Sequence, residues 1–439
     1  MTPNQAGAKW AQLTERVAAH LRAPLFRNGY ALLFSGAATS ALGLVYWAVA
    51  ARLYPAEIVG LNSALLAAMS FLSAMAQLSL SNVLVRYLPN AGGRAARFVW
   101  VSYALCLAAS VVVGVVFLAG LDFWSPALRF LAADRPWLAL FLVGLATWGI
   151  FTLQDSALTG LRETVWVPIE NTAFAVLKLV LVVALAGWLP RAGIFLSWTV
   201  PVTISLIPVN LIIFGYAIPR QVASAARAAP SPALREMARY AGGNYVGLLL
   251  LTAYTSVLPI VVANVAGVQA TAYFYLPWTI ATGLQLITTN LVTSLTVEAT
   301  TFQTHLRSYS LRILRQALRL LVPVVAVIVI GAPWFMGILG PDYAREGTTL
   351  LRLLALAALP NALVVLAVGV VRVQNRPQWI VATHAALGAI VLTLTYGLLP
   401  RLGVGGVGLA WLVGQTLLAA VLGVIVLRPL LRQPETVSA

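Results

Sequence analysis

A single lysine occupies the least hospitable place in this chain. Lys178 lies inside an apolar run, residues 165–188. If the run is helical, Lys178 sits roughly 20 Å beyond Val165 and about 15 Å before Trp188. That is near the middle of a hydrocarbon core about 30 Å thick. A charge at that depth costs about 2.5–3.5 kcal/mol on insertion scales, and such residues tend to mark substrate or ion paths. No acid is expected at the same depth: Asp155 lies about 5 Å from the edge of its own run, and Glu170 about 7 Å into the run of Lys178. Asn171 falls on the helical face of Lys178, whereas Glu170 does not. Either the lysine is neutral, or it faces water and meets an anion that this chain does not supply. Asp155 and Glu170 are then the only acids within these runs placed to bind a proton or another cation.

The remaining polar side chains in apolar runs form a weaker set. Arg52 and Arg86 flank the ends of the first two runs. They read as interface anchors or as an electropositive rim that guides an anionic headgroup. Gln77, Ser81 and Asn82, with Gln285 and Asn290, could line the same path or hydrogen-bond between helices. His20, His305 and His384 have no metal-ligand spacing, and His384 reads as a structural histidine. The lone Cys106 excludes an internal disulfide. Gly403 to Gly408 matches G-x-G-x-x-G but lacks the preceding strand, so close helix approach is the better reading. The only lysines are Lys9 and Lys178, and neither makes a P-loop. Neither a catalytic set nor a metal or cofactor site is expected.

Apolar helices must hold these residues. Hydrophobic residues make up 61% of the 439 and charged residues 9%, against about a quarter charged in a soluble domain. Twelve stretches approach the roughly 20 residues of a membrane span: 30–50, 59–83, 98–120, 137–158, 165–188, 194–216, 242–264, 269–296, 320–339, 348–370, 377–398 and 404–427. The fold class is therefore all-α and polytopic. Residues 8–27 mix charges with a helical apolar face and read as an interfacial helix. The net charge of +16 follows the positive-inside rule once both termini are placed in the cytoplasm. It therefore calls for no nucleic acid.

An internal echo divides the chain. Leu189-Pro190-Arg191-Ala192-Gly193 recurs as Leu399-Pro400-Arg401-Leu402-Gly403, and Leu196, Trp198 and Val200 recur as Leu409, Trp411 and Val413. Lys178 maps onto Gly388, so it breaks the symmetry. Six spans per half make the halves parallel repeats. The expected units are an interfacial helix at 1–27, an N-lobe at 28–216, a linker at 217–241, a C-lobe at 242–427 and a tail at 428–439. Such an architecture belongs to transporters more than to enzymes.

Three stretches carry a resemblance. They are Ala50-Ala51-Arg52-Leu53-Tyr54-Pro55-Ala56-Glu57-Ile58-Val59-Gly60-Leu61, Leu84-Val85-Arg86-Tyr87-Leu88-Pro89, and Leu339-Gly340-Pro341-Asp342-Tyr343-Ala344 with Leu350-Leu351-Arg352-Leu353-Leu354-Ala355. With the twelve spans, they resemble the polysaccharide transporters, the Wzx-type flippases of the multidrug/oligosaccharidyl-lipid/polysaccharide exporter superfamily. The resemblance implies a multi-pass protein of the bacterial plasma membrane that works by alternating access. Its cavity would lie between the lobes, lined by spans one, two, seven and eight. Its substrate would be an undecaprenyl-pyrophosphate-linked oligosaccharide for lipopolysaccharide or exopolysaccharide, with membrane lipids and polysaccharide assembly proteins as partners. Lys178 and the rim arginines would meet the pyrophosphate.

Departures from the pattern keep rivals open. Span one has no match for the proton-coupling aspartate of the superfamily's drug antiporters. Spans two, seven and eight carry no charge in their middles, unlike the cationic cavity of the lipid II flippases. A cation-coupled drug or metabolite antiporter using Asp155 or Glu170 is the first alternative. A membrane polysaccharide polymerase or glycosyltransferase is the second, and the short outer loop 121–136 argues against it.

Overall fold

The computed structural model describes residues 41–224, 234–301, 306–374 and 376–432. The interfacial helix expected at 8–27, the middle of the linker and the end of the tail lie outside the described residues. Among the described residues the chain is helical with no strand. Ten helices are long and apolar enough to cross a membrane, and Ala41–Leu53 is a shorter apolar helix where span one is expected. Val268–Thr301, span eight, packs among them against Pro341–Val373 and Ala56–Ala76. Valines 111, 112, 115 and 116 of span three are more than half exposed, as a helix wrapped by hydrocarbon requires.

Helix ends fall where proline and caps put them. Asp134 accepts from the Trp137 N–H at 3.4 Å and starts Arg135–Gly160, with Pro136 in its first turn. Pro341 and Pro377 open spans ten and eleven in the same way. A missing N–H costs nothing at these positions.

The repeat seen in sequence is built into the backbone. Span six ends in a π-helical turn, Ile213–Ala217, and span twelve in another, Gly423–Leu427. They stand at the same offset as the two Leu-Pro-Arg segments, and each precedes a proline, Pro219 or Pro429. Proline lacks an N–H and crowds the carbonyl one turn back, so widening that turn accommodates it. Gly403-x-Gly405 to Gly408 opens span twelve. A Cβ at Gly406 would lie 2.6 Å from the Leu398 carbonyl oxygen, and one at Gly408 3.0 Å from Leu353 Cβ. Close packing explains these glycines.

Span two departs from expectation. Residues 59–83 read as one helix, but the chain forms Ala56–Ala76 and then Leu80–Tyr87, with Leu78 and Ser79 at φ 50° and 60°. Gln77, Ser81 and Asn82 stitch this break. The Ser81 hydroxyl donates to Gln77 Oε1 at 3.0 Å, and Asn82 Nδ2 donates to Ser79 Oγ at 3.1 Å.

Span two is also the seam between the lobes, packing against spans seven and eight. Near one end Gly60 abuts the backbone of Val268. Toward the other, Tyr245 Oη donates to the Met75 carbonyl at 2.7 Å. Arg86 lies 4.3 Å over the Tyr240 ring, and Arg220 pairs with Glu163 at 3.1 Å, both at an arginine-rich end. At the opposite end Asn62 ties the first Leu-Pro-Arg turn to span two. Its Nδ2 donates to the Arg191 carbonyl at 3.1 Å, and its Oδ1 accepts from the Phe195 N–H at 3.1 Å.

Candidate functional site

Span five, Trp166–Ala186, carries two buried ionisable side chains, Glu170 and Lys178. Lys178 is 6% exposed and lies inside the N-lobe. Its Nζ stands 4.2 Å from the Trp198 ring centroid, 5.0 Å from Phe174 and 5.1 Å from Tyr46. No acid among the described residues pairs with it. The ring faces present negative potential to the ammonium. Tyr46 is held by a 2.7 Å contact to Ser197 Oγ, and Trp198 packs on Trp148 with centroids 5.5 Å apart. The box thus draws on spans one, four, five and six. Trp47 extends it to the other lobe, lying 6.5 Å from Trp198 and 4.8 Å from Tyr275 of span eight.

The C-lobe repeats this frame without the lysine. Trp411 corresponds to Trp198 and packs on Tyr254 at 5.8 Å and on Trp278 at 4.7 Å. Gly388 corresponds to Lys178, and a Cβ there would lie 3.4 Å from Tyr254 Cβ. Gly388 therefore faces a tyrosine of span seven much as Lys178 faces one of span one. His384, one turn earlier, lies with Nδ1 3.4 Å from Tyr254 Oη. The echo pointed to Trp198 and Trp411. Nothing in sequence order signalled that Tyr46 and Tyr254 would join them.

One turn before Phe174, Glu170 faces a separate cavity of about 280 Å³ between spans four, five and six, walled by Trp166, Phe174, Pro201, Pro208 and Val209. Glu170 is 7% exposed, and neither carboxylate oxygen has a hydrogen-bond partner. Glu170, Phe174 and Lys178 follow one another at helical spacing, so the Phe174 ring separates acid from ammonium. Asn171 is turned to Asp155 instead, its Nδ2 donating to Oδ2 at 3.1 Å. The other Asp155 oxygen is buried without a partner.

The rim arginines cross the lobe boundary. Arg52 Nε donates to the Ile338 carbonyl at the end of span nine. Arg86 lies over Tyr240 of span seven. Gln77 and Asn82 hold the break in span two, as above. Gln285 is half-buried on span eight, and the side chain of Asn290 lies outside the described residues.

No protein-family model matches the chain, and no curated protein matches it in sequence. Solved structures do match its fold. An inward-facing multidrug resistance MATE family transporter of the MOP superfamily aligns at TM-score 0.66 with 15% identity, covering 89% of this chain and 94% of that one. The lipid II flippase MurJ, in an inward closed conformation, aligns at 0.70 with 10% identity, covering 91% and 87%. A MATE structure in the straight conformation aligns at 0.64 with 16% identity, covering 90% and 93%. This chain has the two-lobed helical fold of those transporters.

Proposed function

We propose that this protein is a flippase that passes a lipid-linked oligosaccharide, carried on an undecaprenyl pyrophosphate, from one leaflet of the bacterial plasma membrane to the other. Both termini would be cytoplasmic. The observation that carries this reading is the acid-free ammonium of Lys178, buried within span five in a frame whose C-lobe copy has glycine instead. An anionic diphosphate supplies the missing countercharge. Trp47, itself of the N-lobe, stands between the Lys178 box and Tyr275, so drawing the lobes apart would bare Trp47 and free its ring to swing off the box. The lipid tail would remain in the bilayer while the sugar diphosphate crosses the seam. Alternating access by rocking of the two repeats supplies the turnover.

A second reading, a cation-coupled drug or metabolite antiporter, is favoured by one observation: the Glu170 carboxyl, unpartnered in its intramembrane cavity. Such a group takes up a proton or a cation more readily than it stays bare.

One reconstitution separates them. Proteoliposomes receive a fluorescent polyprenyl-pyrophosphoryl sugar, and the fraction reached by an impermeant quencher is followed with and without proton and sodium gradients. Parallel vesicles receive a cationic dye. We expect quencher access to the sugar lipid to rise at least tenfold faster than in protein-free vesicles, and Glu170→Gln to match wild type. Dye movement that follows the gradient and disappears in Glu170→Gln, with no sugar-lipid transfer, would establish the second reading instead.

A further inference from the structure

A groove of about 610 Å³ opens along the seam toward the arginine-rich end, and nothing above uses it. Leu80 and Val83, just past the break in span two, form one wall, and Phe98, Val101 and Leu105 of span three form a second. Span seven closes it with Met237 and Tyr245, and the small Ala238, Ala241 and Gly242 between them leave the room. The groove therefore touches both lobes. Its walls are mostly apolar, with Ser102 and Tyr245 among the polar side chains on them, and its charges, Arg94 and Arg97, are both exposed.

Three features define the occupant. Apolar walls in a membrane-embedded helix bundle select a hydrocarbon chain. Two arginines select an anionic head, because guanidinium binds phosphate in bidentate fashion. The helical path from Arg97 to Leu105 covers about 12 Å, and from Arg94 about 17 Å, close to half of a hydrocarbon core about 30 Å thick. That is the depth of one leaflet. A transmembrane helix would be too long for it, and a soluble anion would leave the apolar walls bare.

We propose that this groove seats one acyl chain of an anionic phospholipid from the adjacent leaflet, with its phosphate on Arg94 and Arg97, and that the lipid bridges the two lobes. The bound lipid favours the conformation in which span seven stays against span two. Anionic lipid then acts as a ligand of one conformation and shifts the population toward it. This site is separate from the Lys178 box and does not depend on what the protein carries.

The test uses the full chain in detergent and in nanodiscs. Phosphatidylglycerol, phosphatidylcholine and undecaprenyl phosphate are each titrated, with retained lipid counted by native mass spectrometry and thermal unfolding followed in parallel. We expect phosphatidylglycerol to be retained and to raise the unfolding temperature, and phosphatidylcholine to do neither. The double variant Arg94→Gln, Arg97→Gln should weaken phosphatidylglycerol at least tenfold. Ala241→Trp, which fills the groove, should do the same while remaining monodisperse with wild-type helicity. If it does not fold, the arginine pair, which lies at the surface, carries the test. A diazirine on the phosphatidylglycerol chain should label residues within 97–105 and 237–245. Equal retention of phosphatidylcholine, or labelling elsewhere, would overturn the proposal. So would displacement by undecaprenyl phosphate at lower concentration than phosphatidylglycerol, which would give the groove to the cargo. Labelling that emerges only after deletion of residues 1–27 would give it to that segment and would also overturn it. Lipid binding is read here without transport, so failure leaves the flippase reading standing.

Discussion

Lys178→Met is expected to yield a protein at least as stable as wild type that transports at least tenfold more slowly. The stability half follows from comparing opposed terms of similar size. A lysine at the centre of a span costs about 2.5–3.5 kcal/mol on insertion scales. Each ring contact returns about 0.5–2 kcal/mol, and three rings lie 4.2, 5.0 and 5.1 Å away. Three such contacts return about 1.5–6 kcal/mol, a range that brackets the cost. Methionine keeps the unbranched length, removes the desolvation cost and regains about 0.3–1.5 kcal/mol per sulfur contact with a ring. Packing therefore gives no reason to keep an ammonium here, and the equivalent place in the C-lobe manages with Gly388.

The transport half follows from what methionine lacks. If the ammonium neutralises a diphosphate while the lobes are parted, its removal leaves that anion without a countercharge in a medium of low dielectric, where pairing matters most. Lys178→Arg should recover part of the rate, because charge is restored while the planar fork fits the three-ring box poorly. The measurements are sugar-lipid flipping in proteoliposomes and the unfolding temperature of the same preparations. Wild-type flipping by Lys178→Met would remove Lys178 from the mechanism. Loss of monodispersity in that variant would make the lysine a packing residue.

What the sequence disclosed and what it withheld differ by range of interaction. Span positions were legible, since hydropathy and helix-opening prolines act within one segment: 98–120 became Ala95–Ala119, and 137–158 became Arg135–Gly160. The two-fold repeat was legible in Leu189-Pro190-Arg191 and its echo, and the paired π turns before Pro219 and Pro429 are its backbone form. The break in span two was not legible. Leu78 is an apolar residue with no turn preference, so its left-handed conformation is imposed by tertiary packing and not by its own chemistry. The bonds that Gln77 and Asn82 make at the break were hidden for a related reason. A polar side chain in a span looks the same in sequence whether it lines a path or satisfies a broken helix. The lysine's depth could be read, and its company could not, because Tyr46, Phe174 and Trp198 come from three different spans. Glu170 was placed off the face of Lys178, yet the two sit on either side of one phenylalanine.

Gly60→Val is expected to force the lobes apart at the end of the bundle where Arg52 bonds the Ile338 carbonyl. Gly60 lies in span two where its backbone meets span eight. A Cβ there would overlap the Val268 carbonyl and lie 3.0 Å from the Ala272 nitrogen. Both are backbone atoms of a helix, so no side-chain rotation relieves the clash, and relief requires that the helices separate. Overpacking of this kind costs about 1–3 kcal/mol. If the cost falls only on the conformation in which this end is closed, it shifts the balance of states by about 5- to 150-fold. The bond from Arg52 to the Ile338 carbonyl shares that end and should break with it. At the arginine-rich end the contact of Tyr245 with Met75 should persist. Spin labels at Glu57→Cys and Gln269→Cys, both exposed and flanking the contact, report the separation, and the native Cys106 is buried and does not compete. The label distance should lengthen in Gly60→Val, less so in Gly60→Ala, with Tyr87→Cys and Glu236→Cys unchanged or closer. Equal distances in all three proteins would mean that the seam tolerates a side chain at Gly60. The closed end would then owe its closure to Arg52 and not to the close approach of spans two and eight.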